Sequence, residues 1–317
     1  VQNSLEIEET MTLNWGLLRK RNALAARARI IREIRNFFIE GGYLEVETPL
    51  RIPAPAPESH IDAVPSTDWF LHTSPELCMK RLLAAGFERI FQICHCWREG
   101  ERGRLHIPEF TMLEWYRVNA GYLDLMDECE VLIRSVAIIL GHEDRLVYQD
   151  LEISLQIPWE RISVAEAFTR YTPYTMTEAL RLDLFDELMA GEIEPQLGKT
   201  GPIFIHDYPA SRGALARLKP QDPSVSERFE LYVGGVELAN AFTELTDPAE
   251  QHSRFINEQE NRVVLGKRVY PMPDIFLEEL PHMPPAAGIA LGLDRLVMIL
   301  LNFSSIDEVI AFSPEEL

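Results

Sequence analysis

The chain has 317 residues, 46% hydrophobic and 25% charged, enough for one large globular domain or two smaller ones. Its 30 Lys+Arg against 50 Asp+Glu give a formal net charge of -20, and so acidic a surface repels phosphate backbones and disfavours extensive nucleic-acid binding. No apolar run is long enough to cross a membrane, the acidic N-terminus is no secretory leader, and Cys78, Cys94, Cys96 and Cys129 are too few for a disulfide framework, so a cytoplasmic protein is expected.

Residues 1–16 are expected to form a disordered N-terminal segment. Ala23 to Gly41 predicts a helix with Ile30, Ile31, Ile34, Phe37 and Phe38 on one face, closed by Gly41-Gly42. Tyr43 to Thr48 predicts a short strand stopped by Pro49, then a proline-rich loop from Pro53 to Pro57. Trp69 to His72 predicts another strand. Ser74-Pro75-Glu76 opens a helix, with Ser74 as N-cap and Pro75 in the first turn. Glu76 has two readings: a carboxylate stabilised by the helix dipole, or one that faces a bound amine.

Arg89 to Arg117 organises the rest. Ile90 to Trp97 predicts a buried strand, residues 99–108 a charged loop, and Glu109 to Tyr116 a second strand. A side-chain period of two puts Phe110, Met112, Glu114 and Tyr116 on one face. With Arg98 at the loop mouth, the hairpin suits a ligand that is anionic at one end and cationic at the other. The competing reading is a surface hairpin with a solvated loop. Cys94-His95-Cys96 lacks a second Cys or His pair at ligand spacing, so core packing is expected there rather than zinc.

Tyr122 to Leu140 predicts a helix and Leu151 to Ile157 a strand. Ser163 to Glu166 reads as a capping box that opens a helical insertion over roughly 165–200. Pro202 to Tyr208 predicts a strand. Glu230 to Glu237 predicts a hairpin turned by Gly234-Gly235, with Tyr232 opposite Glu237 and Glu230 diagonal to it on the same face. Two converging carboxylates need solvent or a cation, and Mg2+ with nucleotide phosphates is the natural one. The competing reading is an exposed acidic face. Asn240, Phe242 and Glu244 share a parity that Glu237 does not. If both sets face one site, a bulge must lie between them. Asp247-Pro248 caps a helix to about Leu265, and Pro271 to Pro285 is mostly loop. Gly288 to Arg295 is a glycine-containing strand feeding the apolar helix Leu296 to Leu301, with Arg295 near a helix start where phosphates bind well.

Taken together, three separated motifs resemble class II aminoacyl-tRNA synthetases. Gly42 to Pro49 looks like motif 1, which builds the dimer interface in that family; Arg98 with His106 to Phe110 looks like motif 2; Gly288 to Arg295 looks like motif 3. The lysyl subclass is the nearest: Ser74-Pro75-Glu76, Phe110 to Tyr116 and Glu237 to Asp247 all look lysine-type. The likeness covers about Leu17 to the C-terminus and implies an α+β fold, an antiparallel sheet flanked by helices, as one catalytic domain over 17–317. It leaves no room for an anticodon-binding OB-fold. In that respect the chain resembles the stand-alone elongation factor P–lysine ligases, which activate lysine or (R)-β-lysine and join it to a lysine of elongation factor P. Ala290, where the synthetase motif has glycine, fits the ligases.

The resemblance implies ATP and Mg2+ as cofactors and a homodimer. Arg98 and Arg295 are the implied catalytic residues. The implied ATP set is Arg98, Glu99, Gly100, Glu101, His106, Ile107, Phe110, Glu237, Leu238, Gly292 and Arg295, with Phe110 stacking on adenine. Glu230 and Glu237 carry the metal. Glu114, Tyr116 and Glu244 grip the side-chain ammonium, Glu76 takes the other amine beside Ser74 and Pro75, and Asn240, Phe242 and Ala290 complete the substrate set. The chain departs from the pattern at Gly100, where glutamate is usual and Glu99 and Glu101 flank the gap, at Ile107, where asparagine is usual, and at Ala241, where glycine is common. The alternatives are a short lysyl-tRNA synthetase-like enzyme charging tRNA, an amide-forming asparagine synthetase and a silent amino-acid-binding paralogue. Glu114 and Glu244 argue against the asparagine reading, which needs a cationic pocket.

Overall fold

The computed structural model describes residues 15–213 and 215–317. The expectation for the N-terminal segment therefore lies, up to residue 14, outside the described residues. Helix α1 (Trp15–Glu40) starts well before Ala23. Its first turns lack an apolar stripe, so periodicity does not reveal them. They are tied down instead by a long-range ion pair, Lys20 Nζ to Glu316 at 2.6 Å. At the other end Gly42 takes φ +76, the left-handed conformation that glycine tolerates best.

The remaining elements follow in order: β1 (Leu44–Glu45), β2 (Arg51–Ile52), β3 (Pro65–Ser66), β4 (Trp69–Leu71), α2 (Glu76–Ala84), β5 (Arg89–Trp97), β6 (Glu109–Val118), α3 (Tyr122–Ile139), β7 (Arg145–Tyr148), β8 (Leu151–Ser154) and β9 (Glu160–Ser163). Over the segment where an insertion is expected come α4 (Val164–Tyr171), α5 (Met176–Arg181) and α6 (Phe185–Leu188), followed by short π and 3-10 turns. Then come β10 (Ile203–Pro209), β11 (Leu218–Lys219), β12 (Asp222–Val233), β13 (Val236–Thr243), α7 (Pro248–Val264), α8 (Asp274–Glu279), β14 (Ala286–Gly292) and α9 (Leu293–Leu300).

The main sheet runs β1-β5-β6-β14-β13-β12-β10-β9, with β11 beside β12. Its centre, from β5 to β10, is antiparallel, and β1 and β9 add a parallel strand at either end. Alternation divides the sheet's two faces by chemistry. Phe91, Leu113, Trp115, Phe229, Leu231, Ala241, Ile289 and Leu291 are buried in one core with Ile30, Ile34 and Phe38 of α1, the apolar side of α3, and α9. The opposite parity carries Glu114, Tyr116, Glu230, Asn240, Phe242 and Ala290 into a cavity.

The register also delivers the expected bulge. Tyr232 pairs with Glu237, but Leu231 pairs with Ala239, so Leu238 is the surplus residue. Leu238 and Ala239 both lie in the helix-side core. Glu237 before the bulge and Asn240 and Phe242 after it all line the same cavity. Gly234 and Gly235, at φ +60 and +76, close the hairpin with the doubly left-handed turn that a two-residue connection favours.

Candidate active site

The cavity above the sheet holds about 350 Å³. One end is acidic. Ser74 Oγ donates to Glu114 Oε1 at 2.5 Å, and Tyr116 OH donates to Glu114 Oε2 at 2.9 Å. Burial first, and Glu76 next, push the Glu114 carboxyl well above its ordinary range. Ser74 does not cap α2 in the expected way. The helix begins at Glu76 with Pro75 in the cap position, and Ser74 Oγ accepts the Glu76 N–H at 3.0 Å while its own proton goes to Glu114. Pro75 is buried behind the cavity wall.

The sequence reading missed the cation in this end. Lys80, one turn after Glu76, is 1% exposed. Its Nζ lies 2.5 Å from Glu76 Oε1 and 2.6 Å from Glu244 Oε2, and sits 4.9 Å from the Phe242 ring centroid. Glu244 is buried and does not line the cavity, and one of its oxygens is committed to the protein's own lysine. Burial still raises it to about 8, against the opposing pull of Lys80. Glu58, also unforeseen, lines the same end and is raised to about 7 by burial and then by Glu76. Gly288 opposite Tyr116 gives the end its depth: a Cβ there would lie 2.2 Å from Tyr116 Cε1 and 2.5 Å from Glu244 Oε1. Only glycine fits.

These carboxyls imply a pH dependence. The unfolded chain loses both protons near the ordinary glutamate value of 4.5, whereas the folded chain keeps them to about 7 for Glu58 and about 8 for Glu244. Between those limits the folded state binds more protons, so stability falls as pH rises. The melting temperature of the ligand-free protein is expected to decline from pH 5 to pH 8 in scanning calorimetry, and Glu244→Gln to flatten the decline. A melting temperature that climbs over this range would contradict the assignment.

The other end is basic. Arg295 Nη2 donates to His106 Nε2 at 2.7 Å, and its Nη1 donates to the Glu237 carbonyl at 2.9 Å. Burial, then Arg295, lowers the His106 pKa, which keeps the ring neutral to accept that bond. The Arg98 guanidinium stands 5.1 Å from the Phe110 ring centroid and 3.9 Å from Glu101. Glu101, Ile107, Leu238 and Gly292 line the cavity as expected. Glu99 and Gly100 do not. Glu99 N–H is drawn to the Asp62 carbonyl at 2.7 Å, and Gly100 takes φ +77, which turns both outward into solvent.

Between the ends lies Arg228, also missed. It donates from Nε to Asn240 Oδ1 at 3.0 Å and from Nη2 to Glu230 Oε1 at 2.5 Å. Glu230 Oε2 accepts from Tyr208 OH at 2.6 Å and Tyr232 OH at 2.8 Å. Glu237 is raised by burial and by Glu230. Glu194, from the insertion, rises to about 7 by burial and then by Glu230 and Glu237. Clustered carboxylates form the hard oxygen donor set that suits Mg2+. Glu194 carries no local signature, because it arrives from a distant segment, whereas Arg228 shares the period-two face of Glu230 on β12. Lys80 carries one as well: a lysine four residues after Glu76 on one helix face is a readable pair.

The chain matches the family profile described as tRNA synthetases class II (D, K and N) over residues 10–316. The chain belongs to the class II tRNA synthetase family. Among class II relatives it is 39% identical to a Vibrio atlanticus protein named elongation factor P–(R)-β-lysine ligase, over 91% of this chain and 94% of that one. Proteins of the same name from Vibrio cholerae, at 38% over 94% and 97%, and from Edwardsiella ictaluri, at 40% over 92% and 94%, are similar in the same way. No helix among the described residues is long and apolar enough to cross a membrane.

Proposed function

We propose that this class II protein is an ATP-dependent, AMP-forming ligase. It activates lysine or (R)-β-lysine as an aminoacyl-adenylate and transfers it to a lysine side chain of elongation factor P. The observation that carries the reading is the polarity of the cavity: carboxyls at one end, guanidiniums at the other, over a sheet whose relatives bear that name along nearly their whole length. Arg98 holds the α-phosphate and the substrate carboxylate. Phe110 stacks on adenine, and Arg295 with neutral His106 holds the distal phosphates. Glu114 and Tyr116 take the side-chain ammonium together with the Glu244 oxygen that Lys80 leaves free. Glu76 takes the other amine. Arg228 occupies Asn240 Oδ1, so the amide NH2 remains to donate to the carboxylate.

Glu230 and Glu237 would hold Mg2+, which would neutralise charge on the phosphates. The substrate carboxylate attacks the α-phosphorus and pyrophosphate leaves. The acceptor amine then attacks the carbonyl of the mixed anhydride, AMP leaves, and an amide forms as the amine gives up its proton. Catalysis here is positioning and charge stabilisation. The α1–β1 corner, where Ile39, Leu44 and Leu50 are exposed, is the proposed pairing face of a homodimer.

Intact mass of elongation factor P after incubation with this protein, Mg-ATP and (R)-β-lysine tests the reading, with lysine tRNA and α-lysine in parallel. A gain of one lysyl unit with uncharged tRNA is expected. Charged tRNA with unmodified protein would establish the tRNA-charging alternative instead.

Ala290, paired with Glu114 on one side and Asn240 on the other, sets a methyl on the wall between the amine and carboxylate subsites. A methyl is worth about 1–3 kcal/mol in such a pocket. Ala290→Gly is expected to move kcat/KM in ATP–pyrophosphate exchange toward α-lysine and away from (R)-β-lysine by about tenfold or more. An unchanged ratio would remove Ala290 from substrate choice.

A further inference from the structure

Beside the adenine-stacking wall lies a cluster that this chemistry does not use. Cys94 and Cys96 are two residues apart on β5, so both thiols leave the strand on one side. The same side receives His72 from just beyond β4. His95, the residue between the cysteines, points away and pairs with Glu109 at 2.8 Å. The missing ligand of the Cys-His-Cys run thus comes from another strand, which is why spacing alone argued against a metal.

All three donors are buried: His72 is 1% exposed, Cys94 9% and Cys96 0%. One ligand atom from each lies within 4.8 Å of the others. The two sulfurs are 3.9 Å apart, Cys96 Sγ is 3.9 Å from His72 Nε2, and Met112 Sδ is 4.0 Å from Cys96 Sγ. Tetrahedral zinc, with bonds of about 2.3 Å to sulfur and about 2.0–2.1 Å to nitrogen, holds its ligands about 3.5–3.8 Å apart. The two pairs that share Cys96 are within a few tenths of an ångström of that spacing, and the Cys94–His72 pair, inside 4.8 Å, closes further when an ion binds.

A second observation concerns the histidine. His72 Nε2 is bonded to the His95 carbonyl at 2.7 Å, while Nδ1 is buried without a hydrogen-bond partner. The nitrogen beside the thiols is Nε2, so an ion bound there would take the place of the His95 carbonyl contact. The backbone holds the ring in place, since Trp97 N–H donates to the His72 carbonyl at 3.0 Å and His72 N–H to the Leu50 carbonyl at 2.9 Å.

We propose that His72, Cys94 and Cys96 form a structural site for a thiophilic cation of the zinc class. The two thiolates balance the charge of Zn2+, so the buried assembly is neutral. Soft sulfur donors exclude Mg2+, which keeps this site chemically separate from the oxygen set at Glu230 and Glu237. The ion ties β5 to the segment that leads into α2, and so braces the wall carrying Phe110 and Met112.

The test is metal content and cobalt spectroscopy on the full chain, purified under reducing conditions from cells grown with added Zn2+ or Co2+. One equivalent of Zn2+ per chain is expected, and the Co2+ form should show a thiolate-to-cobalt charge-transfer band. Cys96→Ser and the Cys94→Ser/Cys96→Ser double variant should lose the band, whereas Cys78→Ser should keep it. A zinc chelator should lower the melting temperature of the parent protein but not of the double variant. Folded parent protein without the band, metal retained equally by the double variant, or recovery of Cys94 and Cys96 as a disulfide would each overturn the proposal.

Discussion

Lys80→Met is expected to destabilise the protein by about 3–5 kcal/mol near pH 8, the usual cost of removing one partner from a buried ion pair. Lys80 lies between Glu76 and Glu244 and pairs with both. The loss should depend on pH. Glu244, already raised to about 8, can shed its charge by binding a proton at lower pH, so the deficit shrinks toward pH 5. Glu244→Gln in the Lys80→Met background should restore part of the stability at pH 8. Urea unfolding at both pH values measures this. A variant as stable as the parent at pH 8 would mean that the carboxyls are neutral in the folded protein with or without Lys80.

Arg98→Ala should leave the fold intact and lower kcat for ATP–pyrophosphate exchange by about 10²–10³, the range found when one preorganised donor to transition-state charge is removed. The side chain is only partly buried, and its ion pair with Glu101 is long at 3.9 Å, so little stability depends on it. Arg98→Lys should recover only a fraction of the rate, because an ammonium cannot replace the planar fork that grips two oxygens at once. If KM for ATP rises while kcat stays constant, Arg98 contributes uniform binding and not transition-state stabilisation.

The sheet and its ligand face were readable in the sequence because strand parity is a local property. Phe110 to Tyr116 fix one wall, and the parity conflict between Glu237 and Asn240 requires a bulge if both face one site. The outward turn of Glu99 and Gly100 was not readable, since it depends on the Asp62 carbonyl contributed by a distant loop. Glu194 and Glu58 stayed hidden for the same reason: tertiary packing brings Glu58 to the cavity and Glu194 to the Glu230–Glu237 pair, whereas Arg228 was legible by strand parity two residues before Glu230. Lys80 was visible as spacing and overlooked, because attention to a ligand's ammonium left no place for the protein's own. The early start of α1 followed from a pairing between the two termini of the described chain, which no window of sequence contains.

The bulge at Leu238 has a practical consequence for altering this pocket. It splits β13 into two reading frames. Up to Glu237 the odd-numbered positions face the ligand, and from Asn240 onward the even-numbered ones do. A library that varies every second residue along the whole strand would reshape the pocket in one half and dismantle the helix-side core in the other. Switching frame at the surplus residue lets the phosphate end and the amine end be diversified independently. Removing that residue would transpose the two faces for everything on one side of it.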